Sequence, residues 1–260
     1  MHDNADGSGI APELFEVCRR EATFLKSIDD FKEWTRDHVR PLLPHGSLCC
    51  VHGRIYGVGV SLDYVVTVDY PVSHLEAIRN PSGHMDTPLA HRWYQQQAPV
   101  FFDAEAPQAY IPASWLASFR MHDLRNAAAH GVMDQERCIA TYFSFHRLPS
   151  LNETVLSGTF QHLIPLLHET FTRMVQVHQR NSTSLARGYA ALSKRDRQLV
   201  SHISQGKGNA EIAALLHLSE NTVRNQVSRI LVKTGCSNRA ALAAAAVAHE
   251  ESFGMGAKIL

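Results

Sequence analysis

The chain has 260 residues, long enough for two domains, and 45% of them are hydrophobic, with 11 Phe, 7 Tyr and 3 Trp; this is enough for an ordinary folded core. Lys and Arg (25) balance Asp and Glu (25), so total charge points neither toward nor away from nucleic acid. The five Cys (Cys18, Cys49, Cys50, Cys138, Cys236) are odd in number and form no C-x-x-C. No basic-then-apolar leader and no apolar run of about 18 residues is present, so a reduced, cytoplasmic protein without membrane contact is expected.

Residues 1–10 (MHDNADGSGI) are polar and read as a disordered tail. From Pro12 to about Val39 apolar residues recur at helical spacing (Leu14, Phe15, Val17, Cys18, then Phe24, Leu25, Ile28, Phe31, Trp34). This predicts one or two helices, ended by Pro41 and Pro44. SLCCVHGRI and YGVGVSLDYVVTVDYP are β-branched runs bounded by turn residues and predict strands. A mixed stretch follows, with a helix expected over Pro88–Gln97 and another over Pro112–His130, stopped by Gly131. ERCIATYFSFHRL predicts a long strand. Asn152 to about Gln179 is periodic in Val, Leu, Phe and Ile and predicts a long helix that Pro165 is placed to kink. The small polar run Asn181–Gly188 marks the interdomain linker.

The order of elements predicts an α+β N-terminal sandwich, an antiparallel sheet flanked by helices, over 11–180. An all-α, four-helix domain is expected over 191–250, after a linker at 181–190 and before a tail at 251–260. Charge is divided in the same way. Leu192–Ala240 holds eight basic side chains (Lys194, Arg195, Arg197, Lys207, Arg224, Arg229, Lys233, Arg239) against three acids (Asp196, Glu211, Glu220), whereas 1–191 holds 16 basic and 20 acidic ones. A basic face confined to one small domain is the footprint expected of phosphate contact.

Within that domain Ser193 sits as an N-cap with Asp196 three residues on. Leu199, Val200 and Ile203 give the first helix an apolar face, and Gly206 and Gly208 end it. A second helix is expected from about Asn209 to Leu216. HLSE is the turn, and Ser219 caps a third helix in which Val223, Val227, Ile230 and Leu231 form one apolar stripe. Arg224, Asn225, Ser228 and Arg229 occupy the opposite face, Gly235 stops the helix, and the Ala-rich Asn238–His249 is helical.

The LSKRDRQ start, the G-x-x-N-x-E-I-A run at Gly206–Ala213, the S-x-N-T-V-R-N-x-V-S-x-I-L-x-K run at Ser219–Lys233 and the closing GCSNRAAL resemble the LuxR-type (FixJ/NarL-type) helix-turn-helix. The resemblance covers roughly residues 190–248. It implies that the third helix enters the major groove, with Arg224, Asn225 and Ser228 toward base edges, Arg224 on guanine and Asn225 on adenine. It also implies phosphate contacts by Thr222, Gln226, Arg229 and Lys233, supported by Asn209 at the start of the second helix. Ala210 stands where the family usually has Lys, and Gln226 where it commonly has His.

Two kinds of input come into question for the first 180 residues. In DYVVTVDYP, Asp69 imitates a receiver phosphoacceptor, but no Lys occurs between Lys32 and Lys194 to neutralise a phosphoryl group. PLAHRWYQQQAPVFFD instead offers Trp93, Tyr94 and Asp103, followed by Trp115, as a small-molecule pocket like that of autoinducer-binding regulators. Their spacing departs from the usual Trp-x-x-x-Tyr and Asp-Pro pattern, and core packing is the plainer role for these aromatics. The arrangement is more similar to EpsA-type regulators linked to exopolysaccharide genes, so exopolysaccharide or quorum-type targets are implied.

Pairs such as His122 with His130, or His162 with His168, lack metal-ligand spacing. No Walker P-loop, GxSxG or GxGxxG is present, so no catalysis, cofactor or metal is expected. The expected protein is a promoter-binding transcription regulator, dimeric because one recognition helix reads few base pairs. Its dimer surface is sought on the Asn152–Gln179 helix or the last helix. RNA polymerase is a further candidate partner, and the sequence leaves open whether a small-molecule effector exists. The alternative is an adaptor acting through protein contacts, with weak DNA binding.

Overall fold

The computed structural model describes residues 10–56, 59–79, 87–190, 192–251 and 258–260. They divide into two compact units, Met1–Val177 with Gly256–Leu260, and His178–Met255.

The first unit is built on a sheet in the order β3-β4-β5-β1-β2-β6. Strands β1 (Ser47–Tyr56), β2 (Gly59–Val68), β3 (Val100–Asp103), β4 (Asn126–Asp134) and β5 (Ile139–His146) pair antiparallel. Lys258–Ile259 (β6) adds a short parallel pair beside Tyr64 and Val65. Strand β5 lies in the middle and is buried along almost its whole length, because helices cover both faces of the sheet.

Side chains alternate across a strand, and this sorts the core into two layers. Leu48, Cys50, Val66, Val68, Phe143 and Phe145 face one side. There they meet α1 (Pro12–Ala22), α2 (Ile28–Trp34) and the N-terminal part of α7 (Glu153–Ala190). Phe31 stacks on Phe171 at 5.2 Å and Phe145 on Phe160 at 5.7 Å. Buried polar groups are tied: Trp34 Nε1 donates to Cys18 O at 3.0 Å, and Arg173 donates to Leu25 O at 2.9 Å and to Ala22 O. Tyr142 and the opposite face meet Leu89, Trp93, Phe102, Trp115 and Phe119, carried by α5 (Pro88–Gln96), β3 and α6 (Ala113–Met121), with α4 (Val72–Ala77) beside them.

The α+β sandwich is therefore present, with corrections at three places. The helical path of the first segment runs through a π-helical turn, Thr35–Val39, and passes Pro41 to end at Leu42, in the three-residue helix α3 (Arg40–Leu42). Pro41 follows directly on the π-helical turn, in which Arg40 N donates to Thr35 O five residues back, so the looser i→i−5 turn accommodates a ring that would collide with a regular α-helical turn.

The helix expected over Pro112–His130 stops at Met121, and Asn126–Asp134 is a strand. Asp123 and Arg125 adopt left-handed backbone (φ 52° and 61°), which breaks the helix. Ala127, Ala128 and Ala129 are fully buried between β3 and β5, so pairing overrides alanine's helix preference. Gly131 then lies inside the strand; a Cβ there would come within 2.7 Å of the Trp93 ring and 2.1 Å of Thr141 O.

Asn181–Gly188, chosen as linker for its polarity, is helical and belongs to α7, since propagating a formed helix requires no apolar face at each turn. Pro165 lies within the same helix. The tails expected at 1–10 and 251–260 lie largely outside the described residues.

The second unit holds α8 (Lys194–Ser204), α9 (Asn209–Leu216), α10 (Glu220–Thr234) and α11 (Arg239–Glu251). Its own core joins Leu199, Val200, Ile203, Ile212, Val223, Ile230 and Leu242. Gly188 of α7 seats closely on the end of α10: a Cβ there would lie 2.7 Å from Lys233 O and Thr234 Cα.

Candidate nucleic-acid interface and sensor cavity

Each helix of the second unit has a local stop and start. Ser193 Oγ accepts from Asp196 N at 3.1 Å and Asp196 Oδ2 accepts from Ser193 N at 3.3 Å, the capping box of α8. Gly206 (φ 79°) then turns the chain. Glu211 Oε2 accepts from Gly208 N at 2.7 Å at the start of α9, and His217 in left-handed backbone closes it. Ser219 Oγ accepts from Thr222 N at 3.1 Å, and Gly235 (φ 71°) ends α10.

These boundaries rotate α10 so that Val223, Val227 and Ile230 are buried, while Arg224, Asn225, Ser228 and Arg229 are exposed together and Thr222 and Gln226 are half-buried. The exposed face carries two guanidinium groups and a carboxamide, the groups that read guanine, adenine and phosphate. Arg224 lies 3.6 Å from Glu220 one turn earlier, with both side chains exposed, a weak pair that a stronger partner displaces.

Four other sequence-assigned residues have partners inside the domain. Ser228 Oγ donates to Arg224 O at 3.2 Å. Lys233 Nζ is 3.2 Å from Asp196 Oδ2. Burial works against the Asp196 carboxylate, but the hydrogen bonds from Lys233 and Ser193 hold its pKa below the usual range. Asn209 Oδ1 accepts from Arg239 Nη1 at 2.9 Å, and Arg239 also donates to Lys207 O. The Asn209 side chain therefore ties α9 to α11. Thr222 Oγ1 shares a 2.8 Å bond with Ser219 Oγ. Arg239 was not singled out from sequence; its place just after the Gly-Cys-Ser-Asn turn was the available signal.

In the first unit a cavity of about 450 Å³ lies between the sheet and α4–α6. Its floor is Cys49 and Val51 of β1, Val60 and Leu62 of β2, and Ala140, Tyr142, Ser144 and His146 of β5; Tyr70, His74, Leu75, Leu89, Trp93, Tyr94 and Trp115 are among its walls. The ring of Trp93 lies 5.3 Å from that of Tyr142, Tyr70 5.0 Å from His146, and His74 6.1 Å from Trp115. His74 Nδ1 is 3.0 Å from Ser118 Oγ.

Every shifted titratable group of this wall moves toward its uncharged form. Burial lowers His74 to about 4 and His146 to about 3, raises the Cys49 thiol to about 12 and pushes Tyr70 and Tyr142 well up. Trp93, Tyr94 and Trp115 thus meet at one cavity. Asp103 does not: it is exposed at the end of β3, where its carboxylate accepts from Glu105 N at 2.9 Å. The floor residues on β5 went unrecognised, although the alternation Ala140, Tyr142, Ser144, His146 in IATYFSFH was the signal for them.

Asp69 is held by Arg36 at 3.0 Å and by Arg40. Burial opposes its ionisation, yet the two guanidinium groups keep it below the usual carboxylate range. It is a brace between the π-helical turn and the end of β2. Among the described residues no three His, Cys, Asp or Glu side chains come together as a metal would require, and no described helix is long and apolar enough to cross a membrane.

Residues 190–246 match the family model described as bacterial regulatory proteins, luxR family. Over 59 residues the chain is 41% identical to an uncharacterized transcriptional regulatory protein, YhcZ, of Bacillus subtilis (strain 168), a match covering 23% of this chain and 28% of that protein. Over 135 residues it is 28% identical to the regulatory protein SdiA of Escherichia coli (strain K12), covering 52% and 54%. The chain thus spans about a quarter and about half the length of these curated relatives. The solved structure of SdiA with octanoyl-rac-glycerol overlaps with a TM-score of 0.46 at 17% identity, covering 95% of this chain and 97% of that one. CepR2 of Burkholderia cenocepacia, an N-acylhomoserine lactone dependent LuxR family factor, overlaps at 0.49 and 12% identity, covering 63% and 96%. Both overlaps are too loose to bear on function. The C-terminal helix-turn-helix is a luxR-family domain.

Proposed function

We propose, taking residues 190–246 as a luxR-family helix-turn-helix, that the chain is a cytoplasmic, sequence-specific transcription regulator whose N-terminal domain senses a small molecule. The observation that carries the DNA-binding half is the exposed face of α10, where Arg224, Asn225, Ser228 and Arg229 lie together on a helix fixed at both ends. Arg224 and Asn225 supply base contacts and Arg229 a phosphate contact. Two copies on a two-fold site double the sequence read, and a promoter-bound dimer places RNA polymerase among its partners. The sensing half rests on the aromatic-walled cavity, whose size is that of a small-molecule site. The resemblance to EpsA-type regulators supports exopolysaccharide or quorum-type genes as targets. The relatives matched are regulators by name, and no catalytic step is assigned.

Selection from a random duplex library with the full-length protein tests this reading. Enrichment of a two-fold symmetric motif, lost in Arg224→Ala, is expected. Recovery of no motif, with retention that does not weaken as salt rises, would overturn it.

A further inference from the structure

Leu192–Ala240 holds three acids, Asp196, Glu211 and Glu220. Two of them hold the domain together: Asp196 closes the α8 cap and pairs with Lys233, and Glu211 accepts from Gly208 N at the start of α9. Glu220 has no such task. It is the first residue of α10, exposed, and its charged neighbour is Arg224 one turn on, 3.6 Å away. The two share the exposed side of α10 with Asn225, Ser228 and Arg229. The N-terminal residues of a recognition helix are the ones that reach base edges. A carboxylate there also opposes every phosphate it approaches. A first-turn acid does favour the positive end of the helix dipole, but the Ser219 cap already fixes this end. An uncharged residue would therefore hold the helix nearly as well and bind a polyanion more tightly.

We propose that Glu220 is a specificity-determining residue, whose carboxylate accepts from cytosine N4 in the G·C base pair whose guanine Arg224 takes. The proposal rests on α10 reading DNA, as argued above. Side chains one helical turn apart stand about 5–6 Å from each other at Cβ, close enough to share one base pair. In the major groove guanine offers N7 and O6 as acceptors, which suit a guanidinium, and its cytosine offers the N4 amino donor, which suits a carboxylate. On that pair Arg224 and Glu220 are both satisfied and remain neighbours. On a phosphate, or at another base pair, Arg224 leaves Glu220 facing the duplex as an uncompensated anion. At thymine, which presents O4 where cytosine has its amino group, the carboxylate meets an acceptor. Glu220 thus weakens binding everywhere except at its own base, and discriminates by repulsion as well as by contact.

Fluorescence anisotropy of the full-length protein at one salt concentration tests it with three duplexes. One carries the selected motif, one is scrambled, and one carries the motif with 2-pyrimidinone, which lacks the N4 amino group, in place of the cytosine at the position that Arg224→Ala relaxes. The parent is expected to lose about fivefold in affinity when the amino group is removed. Glu220→Ala should be indifferent to that removal and should bind the scrambled duplex about threefold more tightly than the parent does. Glu220→Gln, which drops the charge and keeps an acceptor, should share the tighter scrambled binding and retain part of the sensitivity to the amino group. Thermal melts of both variants check folding at this exposed position. A parent indifferent to the amino group, or scrambled binding that is unchanged or weaker in Glu220→Ala, overturns the assignment of Glu220 and leaves α10 as the reading helix so long as Arg224→Ala loses the motif. No selected motif, or a motif indifferent to Arg224→Ala, overturns both.

Discussion

Acid should unfold the N-terminal domain well before its carboxylates titrate. His45, His52, His74 and His146 are nearly inaccessible to solvent, and burial lowers them to about 4, 4, 4 and 3 respectively. In the unfolded chain each returns to about 6.5. The unfolded state therefore takes up protons first, and stability, full above about pH 7.5, falls as pH drops through 6.5 and keeps falling until the folded values near 4 are reached. At pH 5.5 each unfolded histidine is about 90% protonated while the buried ones are not, a loss of roughly 1 kcal/mol apiece relative to pH 7.5. Four such groups give a few kcal/mol, a large part of the stability of many domains, and His130 and His168, also lowered by burial, add in the same direction. The measurement is urea unfolding followed by tryptophan fluorescence at half-unit steps of pH. All three tryptophans, Trp34, Trp93 and Trp115, lie in the first unit, so the signal reports that domain alone. His52→Phe keeps a ring against Phe171, which lies 6.1 Å from the His52 ring, and removes one titrating group; it should flatten the profile by roughly one histidine's share. A stability that changes by less than one histidine's worth between pH 7.5 and 5.5 would refute the reasoning.

Other outcomes follow from single contacts. Arg224→Ala should weaken binding to a selected duplex by about 1–3 kcal/mol and relax preference at one base position, read by fluorescence anisotropy against a panel of point-mutated duplexes. Ser193→Ala removes the hydroxyl half of the α8 capping box and should cost about 1 kcal/mol in thermal unfolding of the C-terminal domain. Gly131→Val should cost about 1–3 kcal/mol by overpacking, since the added carbon runs into Trp93 and Thr141; the displaced Trp93 ring should also shift the emission maximum. A denaturation midpoint unchanged from the parent would remove the close approach as an explanation for that glycine.

The C-terminal domain was legible because its punctuation is local. Ser193, Gly208, Ser219 and Gly235 each set a helix end within three or four residues of themselves, and the apolar stripe of α10 has one period. The N-terminal domain was legible where residue type or periodicity was distinctive: β1 and β5 are rich in β-branched and aromatic residues, and α7 is periodic. It failed where residue type pointed the other way. Asn126–Ala129 reads as helix by propensity and is a strand because β3 and β5 pair on either side of β4. The cavity followed the same rule. Trp93 and Trp115 stand out in a sequence, but Asp103 is excluded only by the exposed end of β3 that carries it.

The contact between Lys233 and Asp196 has a consequence for how this domain would bind a polyanion. A free lysine that meets a phosphate simply neutralises it and expels a condensed cation from the duplex. Lys233 already has an anion, part of the cap that fixes α8. Its transfer to a phosphate is an ion exchange: the carboxylate left behind recruits a cation from solution as the duplex releases one. Lys233 should thus add to contact with DNA while adding little to the steepness with which salt dissolves the complex, so a count of phosphate contacts taken from the salt slope would come out one short.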